Sequence, residues 1–506
     1  MGYCQPLLVV CRHKKYHFKI LNLPLIIRKI KKLLNNKMTL SSLWLGGGMG
    51  LEQIFRLIRN MLLARLLVPE AFGLMAIIIS VNAAFETVTQ LSIKEAIIQN
   101  PKGHEQTYLN GAWWLSASRA IALYTVVYIC APLISNFYNN SELTWLVRIG
   151  FLTVVFNGLM SPGAYVSVKN MKFNKWAIVS NGGNILGILI TITLAYFYRN
   201  VWALVIGNAS EAVLRLILSY GVCPFRPRFN FDRENLSTLF KFTRGMFGLP
   251  ILFFIWMNAD VFTIGKVLTM TELGMYALAA SAARMPFNFL GSLINQLIFP
   301  AFSKKQNDKD WLNDQIIRIT AIISFIGFPL LFAAIFYGSE ILEILYGSKY
   351  AAVSIPFAIL FATSLIKEMG VPIATVYIST GQPGLHRYFT AIRALVIIIL
   401  IYPAVNIFGL VGAASAGLIS LLIANIFQIY RLNQITGIKI GEYFRIYLLS
   451  ISLSSLALII WCFKIMISLP NAASNLILGI LGCVFSYLTI LIFIKLTKFK
   501  IQILQL

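Results

Sequence analysis

A small set of ionisable side chains lies inside long apolar stretches of this sequence, where each costs several kcal/mol unless it faces a cavity, a partner or a span end. Arg59, Arg119, Arg148 and Arg284 have no acidic residue three or four positions away on their own helix. A guanidinium offers a planar fork of donors to phosphate or carboxylate, so these four are the candidates for a substrate cavity that receives an anionic group. Snorkelling or ion pairing between helices is the alternative for each. Asn258 and Asp260, in the middle of one apolar run, are the candidate site for a coupling ion, H+ or Na+; hydrogen bonding to neighbouring helices would explain them equally. Glu52 with Arg56, and Glu211 with Arg215, stand four apart and are expected to form intramembrane ion pairs. Lys367 and Glu368 are adjacent, diverge around a helix and need other partners.

Nothing in the chain points to an enzyme centre. The four histidines and six cysteines show no metal-ligand spacing, so neither a metal nor a resident cofactor is expected. No phosphate-binding G-x-x-x-x-G-K-[ST] loop is present, and Gly46, Gly47 and Gly48 read as close helix packing. Energy for transport would come from an ion or from the substrate gradient.

The elements that must position these charges are membrane helices. Of 506 residues 58% are hydrophobic and 12% charged, with a mean hydropathy of +0.77. A soluble domain carries about 25% charged residues. Apolar runs recur almost end to end, each long enough to cross roughly 30 Å of hydrocarbon. The stretch 65–80, RLLVPEAFGLMAIIIS, returns at 266–281 as KVLTMTELGMYALAAS. This repeat aligns Arg65 with Lys266, Gly73 with Gly274 and Ser80 with Ser281; Tyr138 and Pro162 recur as Tyr346 and Pro372. The chain therefore reads as an all-α polytopic membrane protein. About 14 transmembrane helices form two pseudo-symmetric six-helix lobes plus two C-terminal helices. The expected divisions are a basic N-terminal extension (1–38), an N-lobe with six spans (39–222), a cytoplasmic inter-lobe connection (223–242), a C-lobe with six spans (243–430), and two further spans with a basic tail (431–506).

The net charge of +25 does not indicate nucleic acid, because the basic residues sit largely in short connections. With both termini in the cytoplasm, the inward connections and tail hold twenty Lys or Arg, and the outward connections hold five: Arg65, Arg199, Lys266, Lys349 and Lys464. The basic extension suits an anionic lipid surface, and is equally readable as a dispensable leader before Met38.

ARLLVPEAFGLMAI (64–77), SIKEAIIQN (92–100), NNSEL (139–143), KFNKWAIV (172–179) and LINQLIFPAFSKKQND (293–308) resemble the polysaccharide transporter branch of the multidrug/oligosaccharidyl-lipid/polysaccharide exporter superfamily, in particular O-antigen and colanic-acid-type flippases. The resemblance implies two lobes around a central cavity with alternating access. It also implies flipping of a polyprenyl-pyrophosphate-linked oligosaccharide across a bacterial cytoplasmic (inner) membrane for surface polysaccharide synthesis, beside a polysaccharide polymerase and glycosyltransferases. A cation-coupled drug or small-solute antiporter is the first alternative, with Asn258 and Asp260 central. A membrane glycosyltransferase or polymerase is the second, and the short outward connections argue against it.

The charge asymmetry makes a direct prediction. In a background with the native cysteines replaced, Arg228→Cys is expected to resist an impermeant thiol reagent on intact cells; labelling from outside would reverse the orientation.

Overall fold

The computed structural model describes residues 37–89, 92–229, 248–456 and 472–497. Most of the expected N-terminal extension and inter-lobe connection lies outside the described residues, as do residues 457–471, which include the end of span thirteen, and the tail beyond 497. The described residues are helical almost throughout. In the N-lobe, α1 (Lys37–Leu66), α2 (Pro69–Val88) and the short α3 (Ile93–Gln99) lead to α4 (Gln106–Tyr138). A broken span follows as α5 (Leu143–Gly150), α6 (Leu152–Gly158) and α7 (Gly163–Lys169). The lobe ends with α8 (Phe173–Ala177), a π-helical turn (Ile178–Gly182), α9 (Gly183–Tyr198) and α10 (Val201–Val222). The C-lobe contains α11 (Leu249–Val267), α12 (Met270–Lys304), α13 (Lys309–Tyr346), a 3₁₀ turn (Ser348–Val353), α14 (Ser354–Met369), α15 (Val371–Ser379) and α16 (Pro383–Thr436). Two last helices, α17 (Ile440–Ser455) and α18 (Ala472–Thr497), lean on α13.

Among the described residues, helix occurs within each expected span. Nine helices among the described residues are long and apolar enough to cross a membrane, or ten when the bent pair Leu143–Gly158 and Gly163–Lys169 counts as one span. One of the nine is α16, whose 54 residues are two helices folded back at Gly409, where φ is +57°. That left-handed conformation favours glycine. The chain stays helical as far as Tyr346, beyond a kink at Tyr337. Its ILEIL run gives the extra turns an apolar side, which buries Leu342 and Tyr346 in the main core.

The repeat in the sequence is a repeat in space. Tyr138 and Tyr346 are the last residues of α4 and α13, Pro162 immediately precedes α7, and Pro372 is the second residue of α15. The two copies of the hairpin begin their second helices by different means. Pro69 opens α2 at the first helical position, where its missing N–H costs nothing. Thr269 opens α12 with a capping box: its hydroxyl accepts from the Glu272 N–H at 3.2 Å, and the Glu272 carboxylate accepts from the Thr269 N–H at 3.0 Å.

The lobes meet where α2 crosses α12. A Cβ on Gly73 would run into the Met270 carbonyl, and one on Gly274 into the Pro69 carbonyl, so each glycine lies against the other copy's first turn. One and a half to two turns further along, the repeated serines also cross the junction. The Ser80 hydroxyl donates to Asn258 Oδ1 at 3.2 Å, and the Asn60 amide donates to the Ser281 hydroxyl at 3.2 Å.

Forcing a methyl between two backbones should cost about 1–3 kcal/mol. Gly73→Ala and Gly274→Ala are expected to lower the thermal unfolding temperature in detergent. Gly221→Ala, with no neighbour within 4 Å of the added carbon, should leave it unchanged.

Candidate functional site

A polar cavity of about 480 Å³ lies between the lobes, walled by α1 on one side and α12 on the other. Glu52, Gln53, Arg56, Arg59 and Asn60 line it from α1; Ser281, Arg284 and Asn288 line it from α12, and Tyr346 joins from the end of α13. On α12 the lining positions Ala277, Ser281, Arg284 and Asn288 fall four, three and four residues apart, one stripe of a helix. Asn60, Ser281 and Asn288 were not among the residues expected here, although Ser281 and Asn288 share the helical spacing of Arg284.

The structure brings Arg59 and Arg284 together on this cavity and adds Arg56. Arg59 Nη1 meets Glu211 Oε1 of α10 at 3.0 Å, and its Nε donates to Asn60 Oδ1 at 3.3 Å. Arg56 Nε donates to Glu52 Oε1 at 2.9 Å, as the four-residue spacing predicted, and the Asn184 amide supports the same oxygen at 2.9 Å. Arg284 has no hydrogen bond or ion pair among the described residues. It is the cavity guanidinium with its donors free.

The expected Glu211–Arg215 pair does not form. Glu211 turns to Arg59, and Arg215 Nε donates to the Glu211 backbone carbonyl at 3.3 Å. Glycines on α9 make room for this arrangement: a Cβ on Gly187 would lie 2.8 Å from the Glu211 Cα, and one on Gly183 would be 2.9 Å from the Arg215 backbone nitrogen. Lys367 and Glu368, expected to need separate partners, face each other at 3.5 Å.

Arg119 and Arg148 stand apart from the cavity. Arg119 lines a smaller pocket of about 180 Å³ within the N-lobe, together with Glu86, Lys94 and Glu95; it donates to the Thr89 hydroxyl at 3.0 Å and the Glu86 carbonyl at 2.9 Å. Arg148 lies over the rings of Tyr128 and Trp145, at 4.0 and 4.9 Å, on an outer flank of the N-lobe where Trp145 is exposed. Its Nε donates to the Tyr128 carbonyl at 3.3 Å.

Asn258 and Asp260 are not one site. Two residues apart on a helix, they point to different neighbours: Asn258 to Ser80 across the lobe junction, Asp260 into the C-lobe. The buried Asp260 carboxylate accepts from the Tyr276 hydroxyl at 2.9 Å and from the Val261 N–H at 2.8 Å. It shares a small pocket with Trp256, Lys367 and Arg284, so Arg284 borders both this pocket and the central cavity. No cluster of three metal-ligating side chains occurs among the described residues.

Across the lobe junction, α2, α4 and α11 frame a groove of about 330 Å³, lined by residues that include Val81, Ala84, Phe85, Leu133, Tyr138 and Phe262. Its lining is apolar apart from the Tyr138 hydroxyl and the Cys130 thiol.

The family described as polysaccharide biosynthesis protein matches residues 62–355, more than half of the chain. The chain belongs to the polysaccharide biosynthesis protein family. The resemblance seen in the sequence is thereby borne out. Similar members include the lipopolysaccharide biosynthesis protein WzxC of Escherichia coli, 23% identical over 428 residues and covering 84% of each chain. The succinoglycan biosynthesis transport protein ExoT of Rhizobium meliloti is 25% identical, over 66% of this chain and 67% of that one. Among solved structures, the lipid II flippase MurJ in an inward closed conformation has the same fold, with a TM-score of 0.74 at 17% identity over 88% of this chain and 98% of that one. For this family member, two lobes of membrane helices around a central cavity are therefore the architecture.

The Arg59–Glu211 pair generates a stability prediction. Glu211→Leu strands a mostly buried guanidinium and is expected to cost about 3–5 kcal/mol. Combining it with Arg59→Met should recover most of that loss, measured by thermal unfolding of detergent-purified protein.

Proposed function

We propose that this protein flips a polyprenyl-pyrophosphate-linked oligosaccharide across the cytoplasmic membrane by alternating access of the inter-lobe cavity, for synthesis of a surface polysaccharide. The observation that carries the reading is the convergence of Arg56, Arg59 and Arg284 from both lobes on one polar cavity whose lining includes a single carboxylate, Glu52. Such a lining suits a phosphate-rich head group, for which guanidinium provides charge and paired donors. Arg56 and Arg59 are already held by acids, whereas Arg284 keeps its donors for the substrate. The names of the relatives, one a transport protein for succinoglycan biosynthesis, support the same class of cargo.

In this proposal both termini are cytoplasmic, and polymerase and glycosyltransferases act on the same lipid-linked sugar. A coupling H+ or Na+ is assigned to Asp260 alone, since Asn258 is engaged elsewhere. The separation of those two residues weakens the drug-antiporter alternative, which relied on them together.

Arg284→Ala is expected to slow flipping of a labelled lipid-linked oligosaccharide in proteoliposomes by about tenfold or more, the scale of one charged hydrogen bond. Arg284→Lys should restore part of the rate, and Arg148→Ala should leave it near wild type. Normal flipping by Arg284→Ala would remove this residue from the substrate site.

A further inference from the structure

Arg65 and Lys266, paired by the repeat, each cross to the other lobe and bind the carbonyl end of a helix there. Arg65, at the end of α1, donates from Nη2 to the Ile344 carbonyl at 2.9 Å, in the last turn of α13. Lys266, in the last turn of α11, donates from Nζ to the Phe137 carbonyl at 2.5 Å, in the last turn of α4, and its ammonium lies 4.7 Å from the centre of the Phe137 ring. The last carbonyls of a helix lack intrahelical donors and carry the negative end of its dipole, so both cations have a physical reason to be there. One contact is the pseudo-symmetric image of the other: α1 corresponds to α11, and α4 to α13.

Both contacts sit at the same face as the two hairpin turns, beyond the glycine crossing of α2 and α12. The central cavity begins at Tyr346, next to this face, and extends away from it to Glu52 and Asn288, which are several turns from the hairpins along α1 and α12. Ser281 and Asn288 are exposed within it. The lobes are thus tied together at the hairpin face, while the cavity keeps exposed polar lining away from it.

We propose that Arg65 and Lys266 form a two-point latch that holds the hairpin face shut, and that both contacts break when the cavity opens to that face. The latch rests on the alternating-access reading, but not on the identity of the substrate. Both side chains are exposed, so each contact is weak and screened by salt. Weakness suits a latch that must release in every cycle; a buried ion pair at these positions would hold one state. Two reciprocal contacts also balance the closure, because each lobe supplies one cation and one helix end.

The test measures the lobe-to-lobe distance directly. Spin labels at Val68→Cys and Lys349→Cys, both exposed at this face on opposite lobes, report it by pulsed electron resonance on the full chain in nanodiscs, with native cysteines replaced. Removing one contact by Arg65→Ala or Lys266→Ala should raise the ratio of long-distance to short-distance populations by about threefold, and removing both by about tenfold. Arg65→Lys and Lys266→Arg keep the charge and should stay near wild type, which separates loss of the latch from damage to folding. A double Ala variant that elutes as a folded monodisperse protein with an unchanged distance distribution would overturn the proposal. A distance shift without any flipping of lipid-linked sugar by the parent protein would uphold the latch and reject the substrate assignment.

Discussion

The contact on which the molecule depends is the crossing of α2 and α12 at Gly73 and Gly274. There, two backbones approach so closely that either glycine's missing Cβ would meet a carbonyl of the other lobe. In a membrane, apolar side chains gain little by leaving lipid for one another, so association relies on close packing and on polar contacts. Small residues at a crossing provide the first. The second comes from repeated residues: Arg65 and Lys266 at the ends of α1 and α11, and Ser80 and Ser281 farther along α2 and α12. Three layers of the junction are therefore built from three aligned pairs of one repeat.

This explains what the sequence revealed and what it withheld. The two-lobe organisation was legible because duplication preserved Gly73 with Gly274, Ser80 with Ser281 and Tyr138 with Tyr346 at similar offsets. The pair Glu52 and Arg56 was legible because helical geometry alone brings residues four apart together. The same rule failed for Glu211 and Arg215. Arg59, 152 positions away, competes for the carboxylate and offers a direct contact between side chains. Distant pairings of that kind depend on which helices become neighbours, and local spacing does not encode this.

The four arginines show the same limit. Their depth in apolar runs was a sound reason to look for partners or cavities, and each has found one or the other. Arg148 found aromatic faces, Arg119 found a carbonyl and a hydroxyl, Arg59 found an acid, and Arg284 found open space. A buried guanidinium has several acceptable solutions in lipid, and residue type does not choose among them. The choice is made by the face each helix presents: the stripe of Ser281, Arg284 and Asn288 turns toward α1, whereas Arg148 turns outward.

The polar cavity and the apolar groove occupy corresponding places in the two halves. Ala282, Met285 and Tyr346 line the first, and their counterparts Val81, Ala84 and Tyr138 line the second. The two seams thus share an outline and carry opposite chemistry. The α1–α12 seam presents guanidinium groups and the α2–α11 seam presents hydrocarbon. The protein is two-fold in its frame but one-handed in where it places charge.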